Sequence, residues 1–371
     1  MTFSFNKILR TTFLLCALHI SLFLIMFPSV CIETGKSAIN VCLTSVVPAL
    51  FPFLICSGFF SASGAAAACS RYLSPLMRPL FKLPGCSAMA FVLGIVSGYP
   101  VGAACAKDLY GTGQCTKAEA EQMCAFCNNS GPLFIISVVG CGFLGSPQAG
   151  RYLYASHIIS AIIVGIIFRF YKSHERIPRL RTLPSKPLSD VKNAVGIFGS
   201  VMDSSVFTML KICGFILFFT VFAASLPKTG FTPYLHSLLE ITGGIKQIAA
   251  LKLSLDTRMC IISFFAAFSG ISVILQVGAI TAPSGLSLMP FIAGKLLQGL
   301  ISAGITSLLL RFFPITQAIF LQQKSPADII SAEPLDILFY SLSVIFAIVV
   351  VFCAILAALA FFRKRMNDTR L

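Results

Sequence analysis

The sequence predicts an all-α polytopic membrane protein with about eight transmembrane helices plus re-entrant or broken segments. Three observations predict it. Hydrophobic residues make up 57% of the chain and charged residues 11%, with a mean hydropathy of +0.90; a soluble domain carries about a quarter charged residues. Residues 11–32, 151–170, 206–226, 259–281, 289–313 and 337–362 are each nearly uncharged, and runs of about 20 such residues cross the roughly 30 Å hydrocarbon layer as helices. Finally, these runs show neither a one-face stripe nor strict alternation. A surface helix or a barrel strand therefore fits poorly, and helices satisfy their own backbone in lipid.

Along the chain, residues 1–36 hold the first apolar run, which follows Lys7 and Arg10. It exceeds the roughly 7–15 residue apolar core of a signal peptide and is expected to stay as a helix. Residues 37–170 form a first unit with segments at 37–60, 86–104, 123–145 and 151–170. A basic linker occupies 171–204, a second unit 205–313, and a loop, a last helix and a basic tail 314–371. The net charge of +15 collects at segment ends. Lys172, Arg176, Arg179, Arg181, Lys186 and Lys192 crowd the linker, and Arg363, Lys364, Arg365 and Arg370 the tail. Under the positive-inside rule the N-terminus, the linker and the C-terminus face the cytoplasm. No aromatic interleaving or known module accompanies these charges, which excludes nucleic acid as their partner; the lipid bilayer is the expected one.

An even number of crossings must separate each cytoplasmic pair. The second half offers four, and its outer loop 314–336 has Asp328, Glu333 and Asp336 against Lys324, in agreement. The first half offers five candidates, so one of them should not fully span. Three carry helix breakers: Val-Val-Pro-Ala-Leu-Phe-Pro-Phe at 46–53, Ser-Gly-Tyr-Pro-Val-Gly at 97–102 and Cys-Asn-Asn-Ser-Gly-Pro at 127–132. A break at membrane depth frees backbone groups that lipid cannot satisfy, so it survives only against protein or a wet cavity. Transporters bind substrate at such segments; a proline kink used for packing is the competing explanation.

The halves resemble each other. Asn129-Ser130-Gly131 to Gly140 aligns with Phe268-Ser269-Gly270 to Gly278, and His157 to Phe170 aligns with Lys295 to Phe312 with small gaps. A second alignment pairs Ser97-Gly98 with Ser269-Gly270, and both stay open. Fourteen cysteines are present, most inside apolar runs, where a free thiol packs as a small hydrophobe. Cys124 and Cys127 form a lone CxxC without a second half-site, which favours packing over redox or zinc chemistry. No hydrolase or phosphate-loop motif occurs, so no enzyme activity, metal or cofactor is expected.

Together with Leu-Pro-Gly at 83–85, Thr-Lys-Ala-Glu-Ala-Glu at 116–121 and Asn-Asn-Ser-Gly-Pro-Leu-Phe-Ile-Ile at 128–136, these motifs resemble the YlbJ (SpoVV) family of sporulation integral membrane proteins, over roughly residues 40–315. That family carries the nucleoside-recognition Gate domain. The resemblance implies two Gate-like repeats, a fold related to concentrative nucleoside transporters, and movement of dipicolinic acid across the outer forespore membrane of a spore-forming bacterium. One departure is that Phe-Ser-Gly-Ile-Ser-Val-Ile-Leu-Gln (268–276) stands where the family resemblance implies a glycine pair and a histidine.

For a small dianion, the Gly131-Pro132 step suits a helix start whose free N–H groups offer positive potential, with Asn129 or Ser130 as cap. Ser97 with Gly98, and Ser269 with Gly270, offer similar cradles; Asn128, Asn129 and Gln276 add amide groups. Asn128, Asn129 and Ser130 are expected to serve function more than folding. Ionisable groups at depth are functional candidates by default. Lys295 is either a substrate-binding cation or, like Lys211, a side chain that snorkels to the interface. Glu240 is either a coupling-ion ligand or an ordinary loop carboxylate, and His157 a coupling group or a packing histidine. The coupling ion, H+ or Na+, and the oligomeric state stay open.

Overall fold

The computed structural model describes residues 14, 17–62, 65–172, 191–226 and 230–315. The last expected crossing, 337–362, most of the basic linker and the basic tail lie outside the described residues. The described part is helical: α1 (Ala17–Met26), α2 (Pro28–Val41), a π-helical turn Cys42–Val46, α3 (Val47–Ala62), α4 (Ala65–Phe81), α5 (Ser87–Val96), α6 (Val101–Gly111), α7 (Lys117–Phe126), a π-helix Leu133–Phe143 and α8 (Pro147–Phe168). Then come α9 (Val191–Ala224), α10 (Thr232–Leu239), α11 (Ile241–Ala249), α12 (Leu255–Phe268), α13 (Gly270–Thr281) and α14 (Met289–Phe312).

Four helices among the described residues are long and apolar enough to cross a membrane: Pro147–Phe168, Gly196–Ala224, Leu255–Ser284 and Met289–Phe312. A fifth span exists if α1 and the helix from Pro28 to Thr44, bent by 109°, count as one. The described residues thus hold four or five of the about eight expected transmembrane helices, together with shorter and bent ones, and the reason for the breaks is local. The run 11–32 turns sharply at Phe27–Pro28, where a proline opens the new helix. The runs 86–104 and 123–145 are each cut into helices of about ten residues, which reach about 15 Å, half of the hydrocarbon layer. The run 259–281 is interrupted at Ser269 and Gly270, both at positive φ, +83° and +75°.

The breaks are of two kinds. Helices α5 and α6 pack against each other, as do α10 and α11, so each pair is a helical hairpin with its tip at Ser97–Pro100 or at Glu240. By contrast α12 with α13 continues past its break as one span, Leu255–Ser284, and α7 is followed, after the break at 127–132, by the π-helix. The sequence expected one re-entrant segment in the first half, and α5–α6 is the hairpin found there, while α10–α11 escaped notice because it is short. The order hairpin, interrupted span, long helix thus occurs in each half of the described chain, and Ser130–Gly131 and Ser269–Gly270 occupy the same place in it.

Local chemistry sets these elements. Helix α7 starts at a reciprocal capping box between Thr116 and Glu119, and α8 at Ser146, whose hydroxyl accepts from the Ala149 N–H, followed by Pro147. The long helices α8 and α14 pack together, and α12 covers α14. Their directions are opposed, because one buried carboxylate clips the end of α8 to the approach to α14. Glu121 accepts from the Ser287 N–H at 2.9 Å and from the Tyr171 hydroxyl at 2.7 Å, and pairs with Lys172 at 3.4 Å.

That clip places Tyr171 and Ser287 on one side of the membrane. Reporter fusions after Lys192 and after Gly285 are therefore expected to show the same, cytoplasmic, sidedness, and a fusion after Gly145 the opposite one. Opposite signals from Lys192 and Gly285 contradict the antiparallel arrangement.

Candidate functional site

The two first-half breaks cross at a point where only glycine fits. A Cβ on Gly94 or Gly102 would overlap the Cys127 carbonyl, and one on Gly98 would lie 3.0 Å from the Gly131 nitrogen. Gly98 also sits at φ +90°, which glycine adopts without steric cost. The hairpin tip 97–100 therefore rests backbone to backbone on the break 127–131. The second half repeats the arrangement: a Cβ on Gly270 would stand 3.2 Å from the carbonyls of Ser237 and Leu238, beside the α10–α11 tip.

Tyr99 ties the two crossings together. Its hydroxyl donates to the Ala266 carbonyl at 2.6 Å and accepts from Ser130 Oγ at 2.5 Å, with the Ser269 side chain as a further hydrogen-bonding neighbour. The Ala266 carbonyl lies in the last turn of α12, where the helix leaves such oxygens unsatisfied. Tyr99 and Ser130 thus supply from the first half what the interruption of α12 removes in the second.

Around this junction lies a cavity of about 370 Å³, a volume suited to one small ligand. Ser97, Gly98, Tyr99, Ser130 and Gly131 line it from the first half, and Glu240, Thr242, Ser272 and Gln276 from the second; Pro48, Pro52 and Phe53 of α3 and Ile212 and Ile216 of α9 close its apolar side. Three helix N-termini bound it, those of the π-helix, α11 and α13. The α11 start is already occupied, since Glu240 accepts from the Thr242 and Gly243 N–H groups at 2.9 and 2.8 Å. Glu240 is therefore a capping carboxylate in the cavity wall, 7% exposed. Ser97 Oγ, by contrast, is buried at the cavity with no protein hydrogen-bond partner, a group whose burial is costly unless something polar reaches it.

The other residues singled out by sequence sit behind this wall. Asn129 donates to the Phe126 carbonyl at 2.8 Å, and its Oδ1 accepts from Gln298 Nε2 at 2.9 Å and from Lys295 Nζ at 3.4 Å. Lys295 also donates to Gln298 Oε1 at 2.6 Å. It is fully buried, so it does not snorkel, whereas Lys211 on α9 is exposed. His157 Nε2 accepts from the Ser130 N–H at 3.1 Å, one of the groups released by the break. Asn128 Oδ1 accepts from the Ala103 N–H at 3.4 Å, and its Nδ2 has no protein partner. Ser269 and Gly270 form the α12–α13 break without lining the cavity. Gln276 does line it, and its Nε2 donates to Ser272 at 3.2 Å. Cys124 and Cys127 are buried free thiols, and no group of metal-ligating residues occurs among the described residues.

Sequence reasoning passed over Tyr99 and Gln298. Tyr99 stands inside the Ser-Gly-Tyr-Pro motif itself, and Gln298 lies three residues after Lys295, on the same helix face.

Comparison with known proteins gives two matches. A family model described as Gate, nucleoside recognition, matches residues 43–147, which take in α3, the α5–α6 hairpin and the break at Ser130. The chain is 30% identical over 321 residues, 77% of its own length and 79% of the relative's, to the sporulation integral membrane protein YlbJ of Bacillus subtilis (strain 168). No solved structure matches.

The partners of Asn129 change its expected role. Asn129→Ala strips an acceptor from Lys295 and Gln298 and a cap from α7, so a loss of about 1–3 kcal/mol and a lower level in the membrane are expected. Gly94→Ala forces the crossing apart and should cost at least as much. Ser97→Ala removes a hydroxyl that no protein group uses and is expected to accumulate at the wild-type level. Immunoblots of membranes and thermal melts in detergent check all three; a wild-type melt for Gly94→Ala contradicts the crossing.

Proposed function

The chain belongs to the YlbJ family of sporulation integral membrane proteins, and from that premise we propose that it is a membrane transporter of a small anionic aromatic or heteroaromatic carboxylate, dipicolinate first among them. The membrane to be crossed is the mother-cell-derived outer forespore membrane. One observation carries the proposal: a cavity for a single small ligand lies where two hairpin tips and two helix breaks meet. At membrane depth such breaks survive only where the backbone is buried in protein or lines a cavity, and transporters bind substrate at them.

The lining divides the work. The free N-termini of the π-helix and of α13 supply partial positive charge to a carboxylate. Ser97, Ser130 and Gln276 supply hydrogen bonds, and the apolar side contributed by α3 and α9 accepts the ring. Asn128, Asn129 and His157 hold the Ser130 break in shape from behind. Glu240, the carboxylate in the wall, is the group placed to couple a proton or Na+ to the substrate. The two halves, each a hairpin, an interrupted span and a long helix, act as Gate-like repeats that rock about the cavity.

A nucleoside is the second reading. The description of the Gate match favours it, and a neutral ligand would suit a cavity whose wall already holds a carboxylate.

Uptake of radiolabelled dipicolinate into vesicles containing the purified protein separates these readings. Uptake above empty vesicles, outcompeted by unlabelled dipicolinate and not by uridine, is the expected result. Uridine uptake alone supports the second reading, and no uptake of either contradicts both. In the spore-forming host, deletion of the gene should leave spores poor in dipicolinate while the mother cell still makes it.

A further inference from the structure

Lys295 presents an electrostatic problem that its own surroundings do not solve. It lies two turns into α14 and is fully buried. Its ammonium meets Gln298 Oε1 at 2.6 Å and Asn129 Oδ1 at 3.4 Å, and stands over the ring of Tyr99 at 5.8 Å and over that of Phe291 at 6.0 Å. Two amide oxygens and two aromatic faces all present negative partial charge, so the cage is built for a cation. Yet no carboxylate among the described residues forms an ion pair with it. A buried charge without a counter-ion is costly, and more so within a membrane.

Only one member of the cage reaches the cavity. Tyr99 lines it while its ring carries the ammonium over one face. The Tyr99 hydroxyl is held by Ser130 and Ala266, which fixes the one ring that touches both lysine and cavity. On the opposite half, Glu240 adds a negative charge to the wall. The cavity is thus polarised, positive behind Tyr99 and negative at Glu240.

We infer that Lys295 selects the charge of the ligand: the transported anion is its missing counter-ion, held across the Tyr99 ring rather than in direct contact. This rests on the transporter reading above and deepens it, because it names a residue outside the cavity lining as the one that discriminates charged from neutral ligands of the same shape. Lys295 acts through the field and through Tyr99. In a medium of low dielectric, such a charge is felt across one ring thickness.

The test uses two probes of matched shape, pyridine-2,6-dicarboxylate and its neutral analogue pyridine-2,6-dicarboxamide, taken up by vesicles holding the full chain. The wild type should prefer the dicarboxylate at least tenfold. Lys295→Met should bring that ratio near one while uptake of the dicarboxamide persists, and Lys295→Arg should retain most of the preference. Glu240→Gln, assayed by downhill exchange so that loss of ion coupling does not enter, should raise the ratio. Should Lys295→Met fail to accumulate, the Arg and Glu240→Gln variants still decide: a ratio unmoved by Glu240→Gln and collapsed by Lys295→Arg overturns the inference in favour of a purely structural lysine. An unchanged ratio in a well-folded Lys295→Met also overturns it. A wild type that moves both probes equally refutes charge selection alone, whereas one that moves neither refutes the carrier reading with it.

Discussion

The unsatisfied backbone of the broken helices is the constraint on which the rest of the structure depends. Each interruption at membrane depth releases N–H and C=O groups that hydrocarbon cannot bind, and side chains answer them. The Ser130 N–H goes to His157 of α8, the Ala266 C=O to Tyr99 of the first hairpin, and the Thr242 and Gly243 N–H groups to Glu240. The Tyr99–Ala266 bond joins the two halves, so the first hairpin and the α12 break depend on each other. The junction assembles as a whole, and the cavity is the space left inside it.

Close approach is what permits those bonds. Glycines at 94, 98, 102 and 131 let one backbone cross another in the first half, and Gly244 and Gly270 do the same in the second. Behind the crossings, the amide and ammonium groups of Asn129, Lys295 and Gln298 join α7 and α14, and Gln298 also donates to the His157 carbonyl of α8 at 3.1 Å. The polar groups at depth therefore fall into an inner set that faces ligand and an outer set that holds the inner one still.

Much of this was legible in the sequence, for reasons that particular residues make plain. Apolar runs announced the membrane class, and proline and glycine inside Ser-Gly-Tyr-Pro and Asn-Asn-Ser-Gly-Pro marked both first-half breaks. Their kinds, one hairpin and one interrupted span, were not marked, because hairpin formation depends on packing between α5 and α6 rather than on local signals. The run 259–281 read as a continuous helix since Ser269 is an ordinary residue at φ +83°, a conformation imposed by tertiary contacts. The α10–α11 hairpin hid in two helices of eight and nine residues, below the length at which periodicity speaks. Lys295 stayed open between a binding cation and a snorkelling side chain because distance along the helix says nothing of what stands at the helix end. Of the twelve site candidates, Ser97, Gly98, Ser130, Gly131, Glu240 and Gln276 line the cavity; the other six belong to the shell or the break behind it, a distinction that exists only in three dimensions.

The central claim is that the space between the hairpin tips and the interrupted spans holds the ligand. A structure of the full chain in lipid, determined by electron cryo-microscopy in saturating dipicolinate, tests it most directly. The account predicts density for one pyridine ring between Ser97 and Gln276, with a carboxylate against the N-terminus of the π-helix or of α13 and the Tyr99 ring alongside. Dipicolinate bound at another place, with this cavity filled by lipid or protein, would contradict it.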